Sequence, residues 1–283
     1  MKNENKITIV IISHKSTYNV LRFIEGLSVK YNILIIDNSN DNILKEKIKN
    51  KINVKLFTIE NKGYGAAINY ANNLIKTDYF FVFNPDILDI NDKFIDFFSK
   101  KTEDFKNDFL CAGPRFLNVD AKSHKQSDVK IKTAKIDAIN GACMLINKKN
   151  FDLINGFDEN FFLFFEENDF CKRGVDINLK IYQFNEVGII HEAGTSVELN
   201  DLYEKKKLQN LRTWHFIWSK FYFFKKHYSY LFAIIYFTPI LIRNLYRIFI
   251  YFVTNNNDKR ISYLIRIKGL IASILLKKSY KRF

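Results

Sequence analysis

Cysteine is scarce in this 283-residue chain: Cys111, Cys143 and Cys171 are its three, about thirty residues apart and with no C-x-x-C pair. That spacing indicates neither a zinc knuckle nor a disulfide framework, and it fits a reducing compartment. A long apolar leader is also missing. The run ITIVII at 7–12 is too short for a signal-peptide core, so it reads as a first strand ending at Ser13-His14. The last third lacks acid: residues 201–283 hold 3 Asp+Glu against 17 Lys+Arg. Subtracting these from the chain totals of 30 and 44 leaves 27 of each sign in residues 1–200, so the whole net charge of +14 lies at the C-terminal end. With 47% hydrophobic and 26% charged residues the composition is that of a globular protein rather than a disordered one.

A basic segment suits nucleic acid or an anionic membrane face, and its neighbours decide between them. Tyr230 to Ile242 (YLFAIIYFTPILI) carries no charge. In the following RNLYRIFIYFV, Arg243, Asn244, Arg247 and Tyr251 fall on one helical stripe, with Leu241, Leu245, Ile248, Phe249 and Phe252 on the other side. A nucleic-acid face would be less apolar, so no nucleic acid is expected. Pro239 and two arginines interrupt the run, which favours a helix lying in the membrane surface over one crossing it. Helices packed on the body of the protein are the alternative.

Residues 1–200 alternate differently. Short β-rich runs at 7–12, 32–37, 54–59 and 79–84 are separated by segments long enough for a helix each, as in a mostly parallel α/β sheet. Such sheets bind ligands at strand C-termini. Three of these ends carry polar groups: Ser13-His14, Asp37-Asn38-Ser39 and Asn84-Pro85-Asp86. Pro85 lacks an N–H and cannot sit inside a central strand, so it marks the strand's exit and aims Asp86 outward, where a carboxylate suits a hard cation bridging a diphosphate. A turn or capping role for Asp86 stays open on the residues alone.

Further along, NKGYGAAIN (61–69) gives two glycines and a small-residue helix start that permit close backbone approach to a ligand. It is not a dinucleotide fingerprint, since Ile68 stands where the third glycine would be. Segment 139–175 holds a glycine turn at Gly141, a strand, an NGFD turn, the aromatic run FFLFF and then Glu166-Glu167-Asn168-Asp169. GIIHEAGTS (188–196) ends a strand with His191 ahead of a glycine loop.

In this order the motifs resemble the family 2 glycosyltransferases of GT-A fold, in particular their bacterial rhamnosyltransferase-like branch, over residues 7 to about 196. The resemblance implies a GT-A domain over 1–200 followed by a basic, amphipathic helical region over 201–283 that associates with membrane. It implies that Ser13, His14 and Asp37 contact the nucleoside. Gly63, Tyr64 and Asn69 would form the nucleotide wall, and Asn84 belongs to the FNPD motif of the donor site. Asp86 would bind metal, His191 metal or diphosphate, Gly141 would shape the donor-side loop, and Glu167 would be the general base. The implied cofactor is Mg²⁺ or Mn²⁺. The implied activity is inverting transfer of a sugar, L-rhamnose from dTDP-rhamnose, to a polyprenyl-diphosphate-linked saccharide in surface polysaccharide synthesis, at the cytoplasmic face of the cell membrane. A UDP-sugar donor such as UDP-galactofuranose, or a non-catalytic membrane-associated protein on the same scaffold, are the alternatives. Two departures stand out: the second acid of the family's E-D pair is glutamate here, Glu167, and the acceptor-side stretch between Gln126 and Ile139 is short.

Overall fold

A computed structural model of the chain describes residues 6–105, 108–119, 126–199 and 201–282. It divides into two compact units, residues 1–157 with 167–198, and residues 158–166 with 199–283. The boundary expected at residue 200 falls on a residue outside those described, and the short segment 158–166 goes with the C-terminal helices.

The first unit is built in the order β1 (Ile7–Ser13), α1 (Thr17–Glu25), β2 (Ile33–Asp37), α2 (Asn42–Ile48), β3 (Val54–Thr58), α3 (Tyr64–Asn72) and β4 (Tyr79–Phe83). There follow β5 (Ile87–Leu88), α4 (Asp92–Asp104), β6 (Phe109–Phe116), β7 (Thr133–Lys135), β8 (Cys143–Asn147), α5 (Lys148–Leu153), α6 (Glu166–Asp176) and β9 (Lys180–His191). One sheet runs β3-β2-β1-β4-β8-β6-β9-β5, with β7 paired to β9 beside this path. The half β3-β2-β1-β4 is parallel. Beyond it β8 is antiparallel to both neighbours, while β6 and β9 are parallel to each other.

Both faces of the sheet are covered, which is why its strands read as continuous apolar runs rather than as alternations. Ile9, Ile11, Ile33, Ile35, Phe81 and Phe83 pack with Val20 and Phe23 of α1, Leu44 of α2 and Phe98 of α4. Their sequence neighbours Val10, Ile12, Leu34, Ile36, Phe80 and Val82 pack on the other side with Ala67 and Ile68 of α3, Phe151 of α5 and Phe170 of α6. The strict period of two thus splits each strand between two cores.

In the second unit α7 (Leu202–His227), α8 (Tyr230–Val253) and α9 (Asn257–Ile274) pack through Ile217, Phe221, Ala233, Phe237 and Leu270, with a satellite of Trp214, Trp218 and Ala272. Gly269 lets α9 close on α7, since a Cβ there would sit 2.6 Å from the Trp214 carbonyl oxygen. Segment 158–166 is tied to α7: Tyr222 Oη donates to Asp158 at 3.0 Å, Lys226 pairs with the same carboxylate at 2.7 Å, and Ser219 Oγ donates to the Leu163 carbonyl at 2.8 Å. The C-terminal residues return to α7 as well. Trp218 Nε1 donates to the Lys277 carbonyl, and His215 Nε2 to that of Lys281 at 2.9 Å, leaving His215 Nδ1 to accept from Ser279 Oγ at 3.0 Å.

Helix α8 runs unbroken through Pro239. By length and composition it is apolar enough to cross a membrane. It buries Ala233, Phe237 and Asn244. Leu231, Ile235, Ile242, Leu245, Tyr246, Phe249 and Phe252 stay exposed.

Candidate active site

The parallel strands β1, β2 and β4 end side by side, and the register sets Ser13 against Asp37. Beyond β4, the Asn84 N–H donates to the Ala142 carbonyl at 2.9 Å and Ile87 N–H turns back to the Asn84 carbonyl. That turn, with Pro85 at its centre, starts β5, whose Ile87 lies opposite His191 in the antiparallel pair with β9. The pairing brings together two residues 105 positions apart: His191 Nε2 lies 3.2 Å from Asp86 Oδ1. Asp86 is not aimed outward as the sequence suggested: it is fully buried, because β5 turns back against β9, and its other oxygen accepts from Ser196 Oγ at 2.7 Å.

A second group gathers on the neighbouring loop. Gly63 has φ 110°, a conformation that favours glycine, and it opens α3 so that Tyr64 Oη donates to the Gly141 carbonyl at 2.6 Å. A Cβ on Gly141 would lie 3.5 Å from Glu167 Cβ and 3.6 Å from the Tyr64 ring, so Gly141 sits against both side chains. Because Ala142 carries the bond to Asn84, this cluster adjoins the Asp86 turn. Glu167 stands in the first turn of α6. Burial pushes its carboxyl up to about 7, opposed by the main-chain N–H groups of Glu167 and Asn168. Part of the Glu167 surface nevertheless stays open. Phe164 and Phe165, just before α6, have φ of 68° and 69°, so two successive bulky residues hold a left-handed conformation next to this acid.

The remaining expected residues divide. His14 Nδ1 lies 2.6 Å from Asn38 Oδ1, and Asn38 Nδ2 donates to Asn61 Oδ1, which also accepts from Gly63 N–H; one relay thus links the loops after β1, β2 and β3. Ser13 Oγ is buried and has no hydrogen-bond partner among the described residues. Asp37 and Asn69 are held within their own loops. Asp37 is fully buried and accepts from Ser39 N–H, Ser39 Oγ and Asp41 N–H, which shapes the loop after β2 beside Ser13. Asn69 has both ends of its amide on the Phe157 main chain, at 2.9 Å each, so it clamps the NGFD turn.

Among the described residues no three His, Cys, Asp or Glu side chains converge as a metal cage. Two protein ligands are what a cation shared with substrate phosphates needs, and the Asp86 carboxylate beside the His191 imidazole fits Mg²⁺ or Mn²⁺ in that manner. Neither side chain bonded to Asp86 is a lysine or arginine that would compete for the site.

Residues 8–167 match the family described as glycosyl transferase family 2. The chain belongs to that family. A curated member of similar sequence, the low-salt glycan biosynthesis hexosyltransferase Agl10 of Haloferax volcanii, is 24% identical over 207 residues, 65% of this chain. The chain spans 66% of that relative's length, just under two thirds. Among solved structures, the mannosyltransferase PcManGT from Pyrobaculum calidifontis, determined with GDP-Man and Mn²⁺, superposes with a TM-score of 0.60 at 11% identity, covering 98% of this chain and 89% of its own. S. aureus TarS 1–349, in complex with UDP-GlcNAc, gives 0.56 at 14% identity, covering 99% of this chain and 94% of its own. At these identities the likeness is one of fold, and the fold is of GT-A type.

Sequence reading passed over Ser196 and Asn61. Ser196 lies within the quoted GIIHEAGTS, and a hydroxyl five residues past a strand-end histidine was the available signal.

Proposed function

We propose that this family 2 member is an inverting glycosyltransferase that moves a sugar from a nucleotide-sugar to a lipid-diphosphate-linked saccharide. The observation that supports the reading is that the Gly141-Ala142 turn links two groups: Gly141 lies against Glu167, whose carboxyl is raised by burial, and Ala142 accepts from Asn84, two residues before the Asp86 that meets His191. A divalent cation held by Asp86 and His191 would supply charge neutralisation to the diphosphate as it leaves. Glu167 takes the proton from the acceptor hydroxyl, whose oxygen bonds to the anomeric carbon on the face opposite the departing diphosphate oxygen. One displacement inverts the anomeric centre. A carboxyl titrating near 7 is basic enough to accept that proton and still largely ionised just above neutral pH.

The motif order favours L-rhamnose from dTDP-rhamnose as the donated sugar and a polyprenyl-diphosphate saccharide of surface polysaccharide synthesis as the acceptor. The basic C-terminal unit, with its exposed apolar α8 face, supports attachment to the inner, anionic face of the cell membrane. Incubation with dTDP-, UDP- and GDP-sugars and Mg²⁺ or Mn²⁺ tests the activity. Release of one nucleoside diphosphate identifies the donor, and release of none across the panel removes the enzymatic reading.

A further inference from the structure

Segment 192–198 is anchored at both ends although Ala193, Gly194, Thr195 and Glu198 are exposed. One end is fixed at Asp86: Glu192 N–H donates to the Asp86 carbonyl at 3.0 Å, and Ser196 Oγ to its carboxylate at 2.7 Å. The other end is fixed at the first turn of α1. Ser16 Oγ donates to the Ser196 carbonyl, Asn19 Nδ2 to that of Thr195 at 3.0 Å, and Glu198 N–H to that of Lys15 at 2.8 Å. The Glu198 carboxylate accepts from Tyr18 N–H at 3.2 Å and Asn19 N–H at 2.9 Å. Helix α1 has no acid in its first turn, and its own capping residue Ser16 makes no side-chain cap. A carboxylate from far downstream performs that task.

We propose that Ser196 joins Asp86 and His191 as a ligand of the divalent cation, and that segment 192–198 is a clasp whose closure on α1 is coupled to cation binding. The proposal rests on the reading of Asp86 and His191 as the cation pair. At present the Ser196 hydroxyl points its proton at Asp86 Oδ2. A cation sharing that oxygen is incompatible with a proton aimed at it, and rotation about Cβ–Oγ turns a hydroxyl lone pair to the metal without moving the main chain. A hydroxyl oxygen is an acceptable hard ligand, as Ser and Thr are for Mg²⁺ in phosphate-binding loops. The protein then supplies a carboxylate oxygen, an imidazole nitrogen and a hydroxyl oxygen, a mixed set that favours Mn²⁺ over Mg²⁺, with the other positions left to diphosphate and water. Fixing Ser196 from its side chain also steadies its carbonyl against Ser16 and holds Glu198, two residues on, against α1.

The test uses Mn²⁺ alone with the full chain, without any nucleotide-sugar. Free Mn²⁺ is followed by electron paramagnetic resonance, and hydrogen exchange is read at the Tyr18 and Asn19 amides. Ser196→Ala is expected to weaken Mn²⁺ binding roughly tenfold, and Ser196→Thr, which keeps the hydroxyl, to restore it. Mn²⁺ should slow exchange at both amides in the parent and in Ser196→Thr, but not in Ser196→Ala. Parental Mn²⁺ affinity in Ser196→Ala, or amide exchange indifferent to Mn²⁺ in the parent, overturns the proposal. If Asp86→Asn also binds Mn²⁺ like the parent, the cation pair itself is refuted, an outcome distinct from failure of the Ser196 role alone.

Discussion

Strand β4 and helix α8 are made of much the same residues, YFFVF in one and YLFAIIYF opening the other, yet the molecule treats them oppositely. Phe80 to Phe83 are at 0% exposure, whereas Leu231, Ile235 and Phe249 keep 68%, 64% and 62% of their surface. Equal hydrophobicity with opposite burial means that composition sets the supply of apolar surface and topology decides its use. In the first unit it closes a core from which a few polar strand ends emerge. In the second it is left facing outward over several turns, beside an excess of positive charge.

The largest expected effect lies in the first unit. Glu167→Gln is nearly isosteric and cannot accept a proton, so sugar transfer should fall by roughly 10² to 10⁴ while calorimetric donor affinity stays within about twofold. Parent transfer rates should show an acid limb near pH 7, because the raised carboxyl must ionise to act. Glu166→Gln serves as the register control: if it is inactive while Glu167→Gln is not, the base is the other acid.

Next in size, Asp86→Asn and His191→Ala should each weaken donor binding roughly 10- to 100-fold in Mn²⁺ and leave the residual binding in EDTA unchanged. Equal losses with and without metal would mean that the pair supports the fold rather than a cation.

Carried into the second unit, the comparison predicts that Leu245→Lys with Phe249→Lys releases the protein from anionic vesicles, lowering partition roughly tenfold or more, without affecting soluble donor hydrolysis. Salt alone should release the parent only in part, since apolar burial is not screened. A parent that never sediments with such vesicles would make the α8 face something other than a membrane surface.

The smallest effects concern pH and have opposite signs in the two units. The Glu167 carboxyl is raised by burial, so its contribution to stability is complete below its ordinary value of 4.5 and is lost as pH rises through about 7. His215 is lowered to about 4 by burial, with the nearby Arg282 and Lys281 charges adding to this and its bond to the Lys281 carbonyl opposing it. Its contribution is complete above 6.5 and is lost as pH falls through about 4. Glu167→Gln should therefore raise Tm at pH 8 by about 2–4 °C for each kcal/mol relieved, with no gain at pH 4. His215→Gln should reduce the loss of Tm between pH 6.5 and 4.

The first four strands were legible because buried parallel strands announce themselves as apolar runs, and strand-end polar groups followed from chain order alone. Asp86 and His191 could each be placed at a strand end, but their meeting depends on the two-residue β5 pairing with β9, which no local pattern encodes. Asp37 and Asn69 were placed at the donor by the resemblance. The bonds that also hold their loops run mostly to main-chain N–H and C=O groups, which every sequence possesses and no residue pattern announces. Segment 158–166 was read as part of the first unit for a related reason: its partners, Ser219, Tyr222 and Lys226, lie more than fifty positions downstream.

The sheet order also sets a problem of timing. Strand β4 finds β1 behind it, but its other edge waits for β8, which begins at Cys143, about sixty residues later. At ribosomal rates of about 5–20 residues per second, that edge is without its partner for roughly 3–12 s. During that interval YFFVF is an uncapped, chargeless template for pairing with any nascent neighbour. That interval closes with β8, before Glu167 has been synthesised.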